Sequence, residues 1–304
     1  MTQPDKRFLV IVRAGDASLH PGWTRSPATR TGDLVVSYFG NDPARYRNDF
    51  DRRIDDKGQK WQGLHALLTR TDFWRDYDYV WLPDDDLAAD EATVNRLFAL
   101  MDGLDLEIAQ PTLDWNSHYG IPMTLHWPGF SVRLTNFVEI MAPCFSRKLL
   151  ATALPTFSES LAGWGFDFIW PRLLGDGIQR AAMLDDVTVT HTRAVGGPTY
   201  DRLKAMGIEP ATEGRALLRR FGVPKDTRMM ITASIDRSGR FLHGGDPGAA
   251  AAMTALMHRD WDAIIAYRNS VAPGVLGTPL PTPALPGPSI ADLGALLATH
   301  LPRA

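Results

Sequence analysis

Short, wholly apolar runs alternate with helical periods over the first third of the chain. Residues 7–12 read as a buried strand ended by Gly15, and residues 34–39 as a second, closed by the turn Gly40-Asn41-Asp42-Pro43. Between Gly58 and Arg70 the apolar positions Trp61, Leu64 and Leu68 fall on one helix face. Residues 77–82 form a third strand, stopped by Pro83. A helix follows from about Asp90, with Val94, Leu97, Phe98 and Met101 on its inner face, Asp90 as N-cap and Gly103 as its stop. This alternation predicts an α/β fold: a Rossmann-like, mostly parallel sheet flanked by helices. Such sheets bind ligands beyond the carboxyl ends of their strands, so the loops after Val12, Phe39 and Leu82 are expected to line one crevice.

The pattern is less regular further on. Residues 107–110 and 136–143 read as strands, the second running into a loop at Cys144-Phe145-Ser146. Gly163 and Gly165 punctuate a loop before a helix over 167–174, and 187–191 is a strand. Residues 211–221 and 249–267 read as helices, the latter with an apolar stripe of Met253, Leu256, Met257, Ile264 and Ile265. Residues 271–288 hold six prolines and no charge, which predicts a stiff, extended linker. The apolar segment 290–301 either docks back as a helix or binds a partner.

Composition narrows the class. The 304 residues carry a formal net charge of −3, with 44% apolar and 22% charged positions, as in a soluble globular protein. A disordered chain and a strongly basic nucleic-acid coat are excluded, so no nucleic-acid partner is expected. The single cysteine, Cys144, excludes an internal disulfide framework or an all-cysteine metal cluster. The first residues lack the apolar core and cleavage pattern of a signal peptide, and no apolar run approaches the roughly 20 residues of a membrane span. The expected location is cytoplasmic, with a membrane-peripheral position compatible. Eight of the nine tryptophans precede residue 171, which places the function in the first two thirds.

Three segments carry chemistry. Asp84-Asp85-Asp86 directly follows a buried strand, where three carboxylates are costly unless a positive charge joins them. A hard divalent cation, Mg²⁺ or Mn²⁺, answers that need, with Asp84 and Asp86 converging on it. The competing reading is a solvated turn that helps to cap the next helix. In Gly163-Trp164-Gly165-Phe166-Asp167 the glycines let a ligand approach the backbone, Trp164 offers a flat face to a sugar ring, and Asp167 suits a general base. Its competing reading is an N-cap aspartate beside a core tryptophan. In Val187-Thr188-Val189-Thr190-His191 the alternation turns His191 inward with the valines, as a metal ligand or as a hydrogen-bonded core histidine. Arg193, beside Ala194-Val195-Gly196-Gly197, is a candidate to clamp a diphosphate, the competing reading being a surface arginine on a flexible connector, and Arg13 after the first strand is a similar candidate.

Together these segments resemble a known pattern. Asp84-Asp85-Asp86 is similar to the Asp-x-Asp motif of GT-A-fold glycosyltransferases, and Gly163-Trp164-Gly165-Phe166-Asp167 to the Trp-Gly-x-Glu-Asp loop of inverting galactosyltransferase-type enzymes. The ordered set Phe8-Leu9-Val10-Ile11-Val12, Asp84 to Leu87, Glu107-Ile108-Ala109-Gln110-Pro111, the run Val138 to Ser146, Trp164-Gly165-Phe166-Asp167 and His191 to Gly197 resembles the glycosyltransferase-like family called domain of unknown function 707, over about two thirds of the chain. The resemblance implies a GT-A-like catalytic domain over 1–200 binding a nucleotide sugar and a metal. A helical C-terminal extension over 201–270 and a proline-rich linker with a short terminal segment over 271–304 would complete the chain. It further implies that Asp84 meets the nucleotide ribose or the metal, that Asp86 and His191 bind the metal, that Trp164 and Gly165 bind the acceptor and that Asp167 abstracts its proton; Asp85 matches only the variable middle position of the motif and is counted with Arg13, Asp84 and Arg193 as donor-binding. One departure stands out: Phe166 occupies the position of the glutamate that contacts the acceptor in galactosyltransferases.

The expectation is a Mn²⁺- or Mg²⁺-dependent hexosyltransferase-type glycosyltransferase. It would move a sugar from a nucleotide-diphosphate donor to a carbohydrate or other hydroxyl acceptor, with inversion. The alternatives are a metal-dependent phosphoesterase or nucleotidyltransferase, which calls for two metals and more acidic ligands, and a catalytically inactive carbohydrate-binding protein.

Overall fold

The computed structural model describes residues 8–24, 28–175, 179–194, 196, 198–270 and 288–301. Residue 7 of the first predicted strand, the predicted linker over 271–287, and Val195 and Gly197 of the loop beside Arg193 lie outside them.

The first strand, β1 (Phe8–Ala14), pairs in parallel with β2 (Gly32–Tyr38), which pairs in parallel with β3 (Arg52–Asp55). Helix α1 (Lys60–Arg70) returns the chain to β4 (Tyr79–Trp81) on the opposite side of β1. The local order β3-β2-β1-β4 therefore reverses between β1 and β4, and the crevice beyond their carboxyl ends is where open α/β sheets hold ligands. A short strand β5 (Leu87–Ala88) and helix α2 (Glu91–Gly103) follow, with the Asp90 side chain accepting from the Thr93 amide as its N-cap.

The sheet continues through β6 (Ile108–Leu113), β7 (Phe130–Thr135), β8 (Cys144–Ser146) and the long β9 (Ala181–His191). Helices α3 (Arg147–Ala153) and α4 (Phe166–Arg172) lie between β8 and β9. After β9 come α5 (Pro198–Ala205), α6 (Pro210–Arg220), β10 (Ile231–Asp236), β11 (Phe241–His243), α7 (Pro247–Ser270) and α8 (Ile290–His300). The strand order is β11-β10-β7-β9-β6-β8-β4-β1-β2-β3, with β5 attached to β9. Strands β3, β2, β1, β4, β6, β9 and β10 run one way, and β8, β7 and β11 the other, so the expected mostly parallel α/β sheet is present.

Helices cover both faces. Leu9, Ile11 and Val35 face α1, α3 and α4 through Trp61, Leu64, Leu149, Phe166 and Trp170. Val10, Val12, Leu34 and Val36 face the side of α2, α7 and α8, which contribute Val94, Phe98, Met253, Leu293 and Leu297. A central strand buried on both faces reads as an unbroken apolar run, and Phe8-Leu9-Val10-Ile11-Val12 is one.

Several expectations are corrected. Residues 136–143 form a loop rather than a strand, although Phe137 and Val138 are buried, because their amides turn to side chains and loop carbonyls instead of a neighbouring strand. The segment Cys144-Phe145-Ser146, read as a loop, is strand β8 between β4 and β6. Strand β7 escaped notice because Arg133 interrupts its apolar face. That guanidinium is fully buried in a two-pronged pair with Asp185, at 2.6 and 3.0 Å. The stretch 201–270 is not wholly helical, since β10 and β11 extend the sheet beyond β7. Ile265 of α7 is exposed rather than part of the inner stripe. The open question over 290–301 resolves as docking: α8 lies on α2, with Leu293, Leu297 and Leu301 buried. No helix among the described residues is long and apolar enough to cross a membrane.

Candidate functional site

Strand β4 ends two residues before the acidic run, and backbone bonding continues past it. The Leu82 amide donates to the Pro143 carbonyl (2.9 Å) and the Asp84 amide to that of Met141 (2.7 Å), which fixes the turn against the 136–143 loop. Each aspartate then has its own partner from a different part of the chain. Asp84 accepts from Lys60 Nζ at 2.6 Å, and that ammonium, on the first residue of α1, also donates to the carbonyl of Ile140 at 2.8 Å. Asp85 accepts from the Gly15 amide (2.7 Å), just beyond β1, and from Arg193 Nη1 (3.1 Å). Asp86 Oδ2 lies 3.3 Å from His191 Nε2. Strand β5 explains this last contact: Leu87 pairs opposite His191, and the Thr192 amide donates to the Asp86 carbonyl at 3.1 Å.

His191 is oriented from behind. Its Nδ1–H donates to the His118 carbonyl (2.7 Å) and its backbone amide to Ser117 Oγ (3.0 Å), which leaves Nε2 facing Asp86. Burial disfavours the imidazolium, but the hydrogen bond and charge of Asp86 outweigh it and raise the His191 pKa. The same contact outweighs burial at Asp86 and lowers its pKa. A bare Nε2 lone pair against a carboxylate oxygen is repulsive. The pair therefore needs either a proton or a cation between its two atoms.

The donor set suits a hard divalent cation. Asp86 Oδ1 is buried with no hydrogen-bond partner among the described residues, so Asp86 keeps free acceptor capacity beside an oriented imidazole. A spacing of 3.3 Å matches the roughly 3 Å edge between neighbouring ligands of an octahedral ion with bonds of about 2.1 Å. The predicted trio is nonetheless not assembled. Among the described residues no three histidine, cysteine, aspartate or glutamate side chains converge on one point, because Asp84 is turned to the Lys60 ammonium.

Asp167 lies in the first turn of α4, but it is not the N-cap: Gly165 holds that position in a left-handed conformation (φ 101°). The Asp167 carboxylate instead accepts from the Ile140 amide (2.8 Å), with the Gly165 amide and its own amide as further donors, while the Asp167 carbonyl accepts from Val138 (3.0 Å). Burial pushes this carboxyl up to about 6, against those amides, which favour the charged form. Between the two clamped residues sits Glu139, whose amide donates to Gln110 Oε1 at 2.6 Å. Burial pushes its carboxyl up to about 8, and the Asp167 charge adds to that. His191, Asp84 and Lys60 are the other charges acting on it, which places Glu139 amid the cluster.

Trp164 is 38% exposed, so it is not a core tryptophan, and its Nε1 donates to Tyr200 Oη at 3.1 Å. Burial raises the Tyr200 pKa, and the charges of Glu139, Asp167 and Asp84 reinforce the shift, so this aromatic pair borders the same carboxylates. Gly163 (φ 79°) leaves room for Trp61, whose ring lies 2.5 Å from where a Cβ would stand. Glu213 of α6 holds the loop from outside, accepting from the amides of Leu161 and Ala162 at 2.9 Å each.

The arginines divide. Arg193 is 44% exposed in its side chain and bridges Asp85 to the Ala17 carbonyl (2.5 Å), with Asp86 at 4.0 Å, so it stands at the rim of the acidic turn. Arg13 does not reach a ligand position. It is buried, donates to Ser37 Oγ and the Gly58 carbonyl at 2.8 Å each, and fills the space above Gly63, bracing β1 against β2 and α1. Burial lowers its pKa. Asp85, expected at the donor, has its two oxygens taken by Gly15 and Arg193 and ties the β1 loop to the β9 end.

Sequence reasoning missed Lys60, Glu139 and Tyr200. Lys60 opens a predicted helix and Glu139 sat in a misread strand. The Tyr200 position carried no motif. A lysine one helix away from an acidic triplet is the one signal that a search for counter-charges would have found.

No family model and no curated protein matches the chain. Among solved structures it is similar to Staphylococcus aureus TarS (13% identity, 71% of this chain and 43% of that chain, TM-score 0.43) and to TarS 1–349 in complex with UDP-GlcNAc (14%, 71% and 73%, 0.44). It is also similar to glucosyl-3-phosphoglycerate synthase from Mycobacterium tuberculosis in complex with Mn²⁺, UDP and phosphoglyceric acid (15%, 73% and 80%, 0.43). The chain thus spans less than half of the longer TarS, and all three likenesses are distant.

Proposed function

We propose that the chain is a metal-dependent glycosyltransferase that moves a sugar from a nucleotide-diphosphate donor to an acceptor hydroxyl with inversion. One observation carries this reading: the Asp86–His191 pair, with a free buried carboxylate oxygen, stands beside the switch between β1 and β4 and in the same charge cluster as the buried Asp167. Mn²⁺ or Mg²⁺ would be held by Asp86 and His191, with phosphate oxygens and water completing its shell, and would supply charge neutralisation to the leaving diphosphate.

The protein's own groups provide the rest. Lys60 holds Asp84, and Arg193 presents a guanidinium at the rim, where a diphosphate meets fixed positive charge. Trp164 and Tyr200 form an aromatic wall for the acceptor's C–H faces. Asp167, with a pKa of about 6, is ionised at neutral pH and close enough to it to take a proton effectively. In the transfer, the acceptor oxygen forms a bond to the anomeric carbon and its proton passes to Asp167. The bond from that carbon to the phosphate oxygen breaks, its electron pair leaving on the nucleoside diphosphate.

Calorimetric titration of UDP and GDP with and without Mn²⁺ tests the reading. Wild-type protein is expected to bind one of them only with metal, and Asp86→Ala and His191→Ala to weaken that binding by at least about tenfold to a hundredfold. Asp167→Asn should bind normally and lose turnover. Metal-independent binding, unchanged in both ligand variants, would overturn the proposal.

A further inference from the structure

The galactosyltransferase-like loop pairs a glutamate with its aspartate, and this chain has Phe166 in that place. The structure shows where Phe166 goes. It is fully buried, stacked on Trp170 and edge-on to Trp61, and offers nothing to a ligand. A second carboxyl group nevertheless lies within the field of Asp167, from a different segment.

Glu139 is placed there by its neighbours. Val138 and Ile140 on either side are both tied to Asp167, one to its carbonyl and one to its carboxylate, and the Glu139 amide is tied to Gln110. Three successive amides thus fix the backbone, two of them on Asp167, and the Asp167 charge is the largest that acts on the glutamate side chain between them. Its Oε2 is buried and has no hydrogen-bond partner among the described residues. A buried carboxyl oxygen without a partner is destabilising, and a water or a ligand hydroxyl that pairs with it relieves the cost. The Trp164–Tyr200 pair borders the cluster with partly exposed aromatic surface, and a partner arriving from that side meets a face that suits a sugar ring.

Resting on the glycosyltransferase reading above, we propose that Glu139 is a second acceptor-binding residue, whose carboxyl hydrogen-bonds the hydroxyl adjacent to the one Asp167 deprotonates, so that the acceptor is a carbohydrate with a vicinal hydroxyl pair. Glu139 forms no covalent bond; it sets which oxygen of the pair meets the base. A lone hydroxyl satisfies one carboxyl and leaves the other unpaired, and discrimination against such an acceptor follows.

The test uses wild type, Glu139→Gln and Glu139→Ala, with methyl glucoside, methyl galactoside, methyl mannoside and their monodeoxy analogues as probe acceptors. Binding is followed by saturation-transfer NMR with UDP and Mg²⁺, and transfer is followed from a panel of UDP- and GDP-sugars. One of the intact glycosides should bind and be glycosylated. Loss of the adjacent hydroxyl, or Glu139→Ala, should raise the acceptor KM by roughly tenfold to a hundredfold with a smaller change in kcat, while Glu139→Gln, a neutral isostere of the protonated carboxyl, should rescue most of that loss. Hydroxyl loss and Glu139→Ala together should be little worse than either alone. Metal-dependent UDP or GDP binding is the internal control and should be unchanged in both Glu139 variants. If that binding is intact while Glu139→Ala keeps the wild-type acceptor KM, or while no vicinal diol is bound, the Glu139 assignment is overturned and the glycosyltransferase reading stands. If wild type binds neither nucleotide with metal, the reading itself fails.

Discussion

Glu139 and Asp167 carry carboxyl groups that the fold makes harder to ionise, and that has a sign. The folded-state pKa of Glu139, about 8, lies above its value in an unfolded chain, so the group stabilises the fold fully at low pH and loses that contribution as pH rises toward and through 8. Glu139→Gln removes the titration. Its melting temperature is expected to match wild type near the unfolded glutamate pKa of about 4.3 and to exceed it increasingly up to about pH 8, by roughly 2–4 °C per kcal/mol. A constant difference across that range would show that Glu139 ionises freely. For Asp167, turnover should rise with pH through about 6 as the base ionises, and a pH profile of the metal-bound enzyme checks this. A tight backbone position offers a second residue-scale test. Gly163→Ala would impose a left-handed alanine and press a methyl group against Trp61, so a loss of about 1–3 kcal/mol is expected in denaturant unfolding.

At the scale of elements, the site is supported by pieces that carry no chemistry. Helix α7 reaches across to the loop behind His191: Arg268 Nη1 donates to the Trp115 carbonyl at 2.7 Å and Tyr267 Oη to Asn116 Oδ1 at 2.5 Å. The next residues, Ser117 and His118, hold His191. Arg268→Ala is therefore expected to weaken Mn²⁺ affinity by about tenfold with little change in melting temperature, which metal titration measures. The same scale explains what could be read from sequence. The first strands, α1, α2 and the His191 strand were legible because each buries a regular stripe or run: Trp61, Leu64 and Leu68, or Val187, Val189 and His191. Strand β7 and the middle of β9 were not, because Arg133, Asp185 and Asp186 look like surface residues and become core residues only by pairing with one another and with Arg237. Local pattern carries no information about a partner some fifty positions away. The acidic turn, Asp167 and His191 stood out by residue type, whereas Lys60 and Glu139 gain their meaning from contacts at long range.

The whole molecule shows why 201–301 is more than an appendage. Strands β10 and β11 extend the sheet, α6 holds the Trp164 loop through Glu213, and α8 closes the face behind α2, where Gly294 brings the helix against the Gly103 carbonyl. Leu297 is completely buried there, and Leu297→Ala should cost about 2–4 kcal/mol in denaturant unfolding while nucleotide binding at the distant carboxylates stays intact at moderate temperature. The tethering of the three aspartates reaches further. Residues 15, 60 and 191 must all be in place before Asp84, Asp85 and Asp86 each have a partner, and the last of these comes more than a hundred positions after the triplet. On the ribosome, Lys60 and Gly15 emerge ahead of the triplet, but Asp86 lacks its partner until the end of β9 has emerged. On the proposed metal-dependent reading, cation affinity at this place would be a late property of folding, and capture of a divalent ion would report that the sheet has closed.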